Sequence, residues 1–266
     1  MVMKKKVVYA LAAILIIAAA VIAIIILKSQ PGLNSTLVGA PVSPATLQEL
    51  KSIATNTTIA NAVVVGAASN FPARTASTAL YINGKPELLY IGAEYCPYCA
   101  ITRWGLIIAL MRFGNLSNLS YMASSPTDVY ADSPTFSFYG SSYQSPYLTF
   151  VPVEYETRTG APLQNLSATQ TSIMNYFDGP PNGGIPFVDF GNLTVSNGAP
   201  ASPEAIYKFN WTYVISQLHN PQSIQAKAII GSADVFTAQI CRMTNNTPPN
   251  VCLQPYVMQT EKFLSG

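Results

Sequence analysis

The sequence predicts an α/β protein whose helices flank a central sheet, behind one apolar segment at the N-terminus. Leu88 to Ala93 is a nearly continuous apolar run of strand length, as expected for a strand covered on both faces. Ile101, Trp104, Ile108 and Met111 follow at helical spacing. Much further along, Gly183-Gly184 opens a second turn-then-strand signal from Ile185 to Phe190, with Leu193 to Val195 as its hairpin partner.

From the N-terminus, Val7 to Leu27 holds no charge over 21 residues, and a helix of that length spans the roughly 30 Å hydrocarbon core of a bilayer. Lys4, Lys5 and Lys6 precede the run and only Lys28 follows. The positive-inside asymmetry therefore leaves the N-terminus in the cytoplasm and everything after Lys28 outside the membrane. A cleaved signal peptide is the competing reading; it wants a small-x-small site, and the run ends Ile24-Ile25-Ile26-Leu27-Lys28. Residues 1–28 read as cytoplasmic tip and anchor, and 43–266 as the exported domain. Between them 29–42 read as a linker, collecting Pro31, Gly32, Asn34, Ser35, Gly39 and Pro41.

Charge and sequons fit export. Charged residues make up 10% of the chain, against about 25% in an ordinary soluble domain. All 12 acidic residues lie beyond residue 28, and taking Lys4, Lys5, Lys6 and Lys28 from the 14 basic ones leaves ten, so the exported part is near −2. It carries no Lys/Arg cluster, which excludes a nucleic-acid partner. Asn34, Asn56, Asn115, Asn118, Asn165, Asn192, Asn210 and Asn245 each head an Asn-x-Ser/Thr triplet, so the exported length reads as a glycoprotein.

Within that part, Ser43 as cap and Pro44 at the first helical position start a helix through Leu47, Leu50 and Ile53. Ala62 to Gly66 and Ala79 to Ile82 read as short strands, a buried helical segment remaining open for the first, and Asn83-Gly84 as a turn. Gly114 is the expected stop of the helix that begins at the first cysteine pair. From about 115 to 184 the chain becomes Ser-, Tyr- and Pro-rich and reads as an insertion, with strands at Leu119 to Ala123 and Leu148 to Tyr155 and a helix at Ala168 to Phe177. One helix is expected from Pro203 to Leu218, and another over Ser223 to Met243 begins a C-terminal helical extension.

The chemistry concentrates in Cys96-Pro97-Tyr98-Cys99, between the strand and the helix. A first cysteine at a helix start lies beside unpaired backbone amides and the positive end of the helix dipole, which favours its thiolate. In such motifs the thiol pKa falls to about 3.5 to 7.5 from ~8.5. Cys99, one turn on, is deeper and less ionised, making Cys96 the nucleophile and Cys99 the resolving thiol. As a structural disulfide the pair would close too short a loop to stabilise much. As a metal site it would need further ligands, and the single histidine, His219, is far along the chain and reads as a helix C-terminal residue. Cys241 and Cys252 read as a structural disulfide tying a helix end to a loop, with a second shuttling pair as the sharper alternative. Glu94 reads as solvated, and Tyr130, Tyr139, Tyr143 and Tyr147 as packing and amphipathic surface.

Ala93-Glu94-Tyr95-Cys96-Pro97-Tyr98-Cys99 after an apolar strand resembles the thioredoxin superfamily, whose members carry a similar aromatic residue before C-x-x-C; Cys-Pro-Tyr-Cys itself is common in glutaredoxins. Gly184-Ile185-Pro186-Phe187 resembles the family's second signature, a cis-proline that opens a strand and faces the cysteines. The resemblance implies an elaborated, DsbA-like or lineage-specific thioredoxin fold, a central mixed sheet flanked by helices, over about Ser43 to Leu218. The whole chain is also similar to an archaeal family of membrane-anchored, sequon-rich thioredoxin-like proteins.

What the resemblance implies for function is thiol–disulfide exchange by Cys96 and Cys99, with Ile185, Pro186, Pro97, Tyr98 and Tyr95 meeting the substrate and no cofactor. The implied partners are exported cysteine-containing proteins and a membrane electron partner. Two departures from the family pattern argue against a general reductant: Tyr90 stands where thioredoxins bury an Asp, and Trp104-Gly105 occupies the place of the kink proline. A redox-inactive binding or cell-surface module, and copper delivery by Cys96 and Cys99, are the alternatives.

Overall fold

The computed structural model describes residues 32–68, 71, 73–75, 80–178 and 184–265. The expected anchor from Val7 to Leu27 lies outside the described residues, among which no helix is long and apolar enough to cross a membrane. Leu33–Gly266 forms one compact unit. Helices α1 (Pro44–Ala54) and α2 (Thr57–Val63) lead to strands β1 (Ala73–Thr75), β2 (Tyr81–Ile82) and β3 (Lys85–Gly92), then helix α3 (Pro97–Phe113). Strands β4 (Asn115–Ser117), β5 (Ser120–Ala123), β6 (Pro134–Ser137), β7 (Ser142–Gln144) and β8 (Thr149–Glu154) follow, then helix α4 (Ala168–Asp178). The hairpin β9 (Phe187–Phe190) and β10 (Thr194–Asn197) precedes α5 (Trp211–Gln217), α6 (Ile224–Met243), α7 (Pro249–Cys252) and α8 (Pro255–Ser265).

Strand β3 is the centre of a mixed sheet. It runs parallel to β8, with Tyr90 opposite Pro152 and Gly92 opposite Glu154, and antiparallel to β9, with Ile91 opposite Phe187. Beyond β9 lie β10 and β1, while β2 forms a hairpin with the start of β3 through the left-handed pair Asn83 and Gly84. Side-chain alternation divides the core: Leu88, Tyr90, Val188 and Phe190 join the large cluster of α1, α3 and α6. Leu89, Ile91, Phe187 and Val195 join a smaller one with Met174 of α4. Helices thus cover both faces, as in an α/β protein.

Every residue of α3 except Tyr98 is buried. The sheet covers one side, and the remaining sides meet α1, α6 and the β5–β6 hairpin, to which the Trp104 indole donates at Pro134 O, 2.8 Å. Gly105 permits the contact with α6: a Cβ there would lie 2.8 Å from the Ser232 Cβ and 3.0 Å from the Phe236 ring. A helix buried on all sides shows no polar stripe, so its sequence reads as apolar throughout.

Several expectations need correction. The 29–42 linker is not free where it is described: Gly39 N–H donates to Tyr121 O (2.8 Å) and Val42 N–H to Leu119 O (2.8 Å), so 39–42 lie along β5. Ala62 to Gly66 is not a strand, because the Asn56 side chain accepts from Ile59 N–H and starts α2, whose last turn takes Ala62 and Val63. Pro203 to Leu218 is not one helix; a 3-10 turn ends at Ala205, Lys208 is left-handed at φ 70°, and Asn210 caps a new start at Trp211. Strand β8 belongs to the central sheet rather than to an insertion spanning 115–184. Gly114, by contrast, ends α3 as expected; its φ is an extended −173°, and a Cβ there would sit 2.3 Å from Gln144 O, so close approach is what requires glycine.

Two buried carboxyls give the fold a pH dependence. Asp234 lies 2.7 Å from the Arg112 guanidinium, yet neither of its oxygens accepts an aligned hydrogen bond. Burial outweighs Arg112 and pushes it up to about 7. Asp189 is pushed up to about 6, by burial first, against a hydrogen bond from Asn192 N–H. A carboxyl whose folded pKa exceeds its unfolded value near 4 stabilises the fold fully below that lower value and loses the contribution as pH climbs through the folded one. Thermal melts should therefore show a higher Tm at about pH 5 than at about pH 8; an equal or lower Tm at the acid end would contradict this.

Candidate active site

Cys96 is the N-cap of α3, in extended backbone geometry (φ −78°, ψ 121°), and its Sγ accepts from Cys99 N–H at 3.3 Å. Pro97 takes the first helical position, where its missing N–H leaves no donor unsatisfied. Both cysteines are free thiols; Cys96 is 6% exposed and Cys99 0%. The Cys99 thiol beside Cys96 holds the Cys96 thiol below its ordinary value against the opposing effect of burial, with Cys99 N–H and the Arg103 charge adding to it. Burial, and then Cys96 itself, push Cys99 well up. The first sulfur is the better thiolate and the second is kept protonated.

Beneath them sits a polar cluster that sequence reasoning missed. Arg103 Nε and Nη2 donate to the two Glu154 carboxylate oxygens at 2.7 and 2.9 Å, and Nη2 also reaches Ala93 O at 2.6 Å. Neither side chain has any exposed surface. Burial raises the Glu154 carboxyl against the pull of Arg103. Glu94 is buried rather than solvated, because its N–H donates to Glu156 O and its carboxylate accepts from Ser137 Oγ at 2.6 Å. The available signal was a charge inside an apolar run: Arg103 in α3, and Glu154 at the end of β8.

At the mouth, Tyr98 is 44% exposed and stands edge-on to Tyr130 (6.0 Å between centroids), which meets Tyr207 likewise at 5.4 Å. Tyr95 Oη lies 3.4 Å from Tyr155 Oη and borders a cleft of about 300 Å³ with Ser125, Asp128, Glu156 and Arg158. The Ile185–Pro186 bond is cis and immediately precedes β9, with Pro186 buried, its carbonyl accepting from Gly198 N–H, and Ile185 half-buried. Because Phe187 pairs with Ile91, that segment lies at the end of the sheet where β3 delivers the chain to Cys96.

Tyr95, Cys96, Pro97, Tyr98 and Cys99 therefore gather at the mouth of α3, with Ile185 and Pro186 at the same end of the sheet. The other sequence-level residues lie on other elements. Cys241 and Cys252 are disulfide-bonded and tie the last turn of α6 to α7. His219, just past α5, bonds the exposed Glu49 at 2.6 Å. Among the described residues no group of three or more His, Cys, Asp or Glu could hold a metal ion. Of the eight sequon asparagines, Asn192 and Asn210 are half-buried and the other six exposed.

Fold and site together define an α/β protein with a free dithiol at the mouth of a buried helix. Residues 72–242 match the family described as a domain of unknown function (DUF929), and the chain belongs to that family. The matched span holds the dithiol, Arg103, Glu154 and Ile185–Pro186, while Cys252 lies beyond it. No curated protein and no solved structure matches the chain.

Proposed function

We propose that the protein is a thiol–disulfide oxidoreductase acting on exported cysteine-containing proteins, with Cys96 as nucleophile and Cys99 as resolving thiol. The observation that carries this reading is the Cys96 sulfur capping α3 on Cys99 N–H while Cys99 lies fully buried one turn further. That arrangement gives one thiol ready to attack a substrate disulfide and a second within reach of the mixed disulfide so formed. A dithiol strand–helix unit beside an antiparallel β9 supports a thioredoxin-like fold. The uncharged run from Val7 to Leu27 supports a tether that holds the domain outside the cytoplasm near a membrane electron partner, and the sequons support glycosylation.

The test is alkylation of full-length protein across pH. Cys96 should label half-maximally below about pH 7.5, with Cys99 far slower. Cys96→Ser should abolish exchange with a disulfide substrate. Slow, equal labelling of the two thiols would defeat the proposal.

A further inference from the structure

The position of Arg103 bears on the direction of the exchange. Cys96, Cys99 and Arg103 stand at i, i+3 and i+7 of one helical stretch, hence on one face, and side chains on a helix lean toward its N-terminus. The guanidinium reaches back far enough to donate to Ala93 O at 2.6 Å, the oxygen that also accepts Cys96 N–H at 3.2 Å. It therefore lies at the base of the turn that presents the nucleophile. Glu154 engages only the Nε and Nη2 edge of the fork; Nη1 is buried with no hydrogen-bond partner. The Tyr90 hydroxyl is likewise buried and unpartnered, lying over Gly92, where a Cβ would be 2.1 Å from it. The carboxylates of the site are already engaged, Glu94 by Ser137 and Glu154 by Arg103 and Phe138 N–H.

We propose that Arg103 is a positioning residue that sets the Cys96/Cys99 couple as an oxidant, so that the protein passes its disulfide to exported thiols. The inference rests on the dithiol being the reactive centre. Thiolates exist only in the reduced protein, so a fixed buried cation beside them stabilises that form over the disulfide and raises the potential. The Arg103 charge favours the thiolate at both sulfurs. In the forward reaction a substrate thiolate attacks the Cys96 sulfur of the protein disulfide, the Cys96–Cys99 bond breaks, and Cys99 leaves as a thiolate that takes up a proton. A second substrate thiolate then attacks the substrate sulfur of the mixed disulfide and expels Cys96. Two substrate thiolates become one disulfide, and two electrons reside on the Cys96/Cys99 pair, with one proton on Cys99 and Cys96 left as the thiolate. A disulfide-bearing membrane protein takes those electrons and restores the starting state. Cys99 is the difficult leaving group here, because burial disfavours its charged form, and Arg103 offsets that burden.

The test is equilibration of full-length protein in detergent with reduced and oxidised glutathione, read by differential alkylation and mass. The wild type should oxidise glutathione, with the equilibrium at least tenfold toward the reduced protein. Arg103→Met/Glu154→Leu, which removes the pair together, should move the equilibrium at least tenfold toward the disulfide, about 30 mV, and raise the pH midpoint of Cys96 alkylation. Arg103→Lys should retain most of the effect, and Glu154→Gln should shift the equilibrium the opposite way from the double variant. A wild-type disulfide that resists glutathione overturns the proposal even if no variant folds. So does a folded, exchange-competent double variant with an unchanged equilibrium. A wild type that exchanges no thiol with glutathione at all defeats instead the oxidoreductase reading beneath it.

Discussion

Cys99→Ala is expected to turn the proposed oxidoreductase from a turnover catalyst into a trap. With Cys96 intact, a substrate disulfide should still be attacked, the reverse of the oxidising step, but the mixed disulfide would have no internal thiol to release it, since Cys241 and Cys252 are bonded to each other. Covalent adducts should therefore accumulate on non-reducing gels at least about tenfold over wild type, because the attacking thiol is retained and only resolution is lost. They should disappear in Cys96→Ser/Cys99→Ala. Deleting a fully buried sulfur leaves a small cavity costing about 1 kcal/mol, too little to unfold a domain of this size. A Cys99→Ala protein that turns over like the wild type would remove Cys99 from the mechanism.

Arg112→Met should be the most destabilising of the single changes considered, at about 3–5 kcal/mol, the range for leaving one member of a buried ion pair uncompensated. Arg112 joins four elements. Its Nε donates to Ala54 O at the end of α1 (3.0 Å), and Nη1 reaches Thr237 Oγ1 and the Asp234 carboxylate on α6, both at 2.7 Å. From α3 its guanidinium also lies over the Tyr256 ring of α8, 4.7 Å from the centroid. Without it Asp234 is a lone buried carboxyl whose escape is protonation, so the loss should be smaller at pH 5 than at pH 8. Arg112→Met/Asp234→Leu should recover most of it. Urea unfolding at both pH values reads the three proteins. A single variant costing under about 1 kcal/mol, with no pH dependence, would mean that the pair contributes little.

The elements that could be read correctly in advance are those whose determinants lie within a few residues of one another. Ser43 and Pro44 start α1 as expected, Ser223 starts α6, and Asn83-Gly84 turns β2 into β3. The failures have the same locality. Asn56 and Asn210 each head a sequon, and their use as helix caps makes Ala62 and Val63 helical and splits Pro203–Leu218. An Asn-x-Ser/Thr triplet and an N-cap draw on the same side chain, so a single sequence does not say which use the backbone makes of it.

For the site, residue order was enough to name Cys96 and Cys99 and to put them between a strand and a helix, because cap, proline and thiols occupy four adjacent positions. What surrounds the sulfurs came from packing. Arg103 and Glu154 are 51 residues apart, and they meet because β8 pairs in parallel with β3 and sets Glu154 level with Gly92. Glu94, on its own an ordinary surface residue, is buried through contacts with Ser137 and Glu156 on later segments. Such partners have no short-range signature: a buried charge is tolerable only where its counterpart arrives from elsewhere in the chain, and strand pairing decides which one arrives.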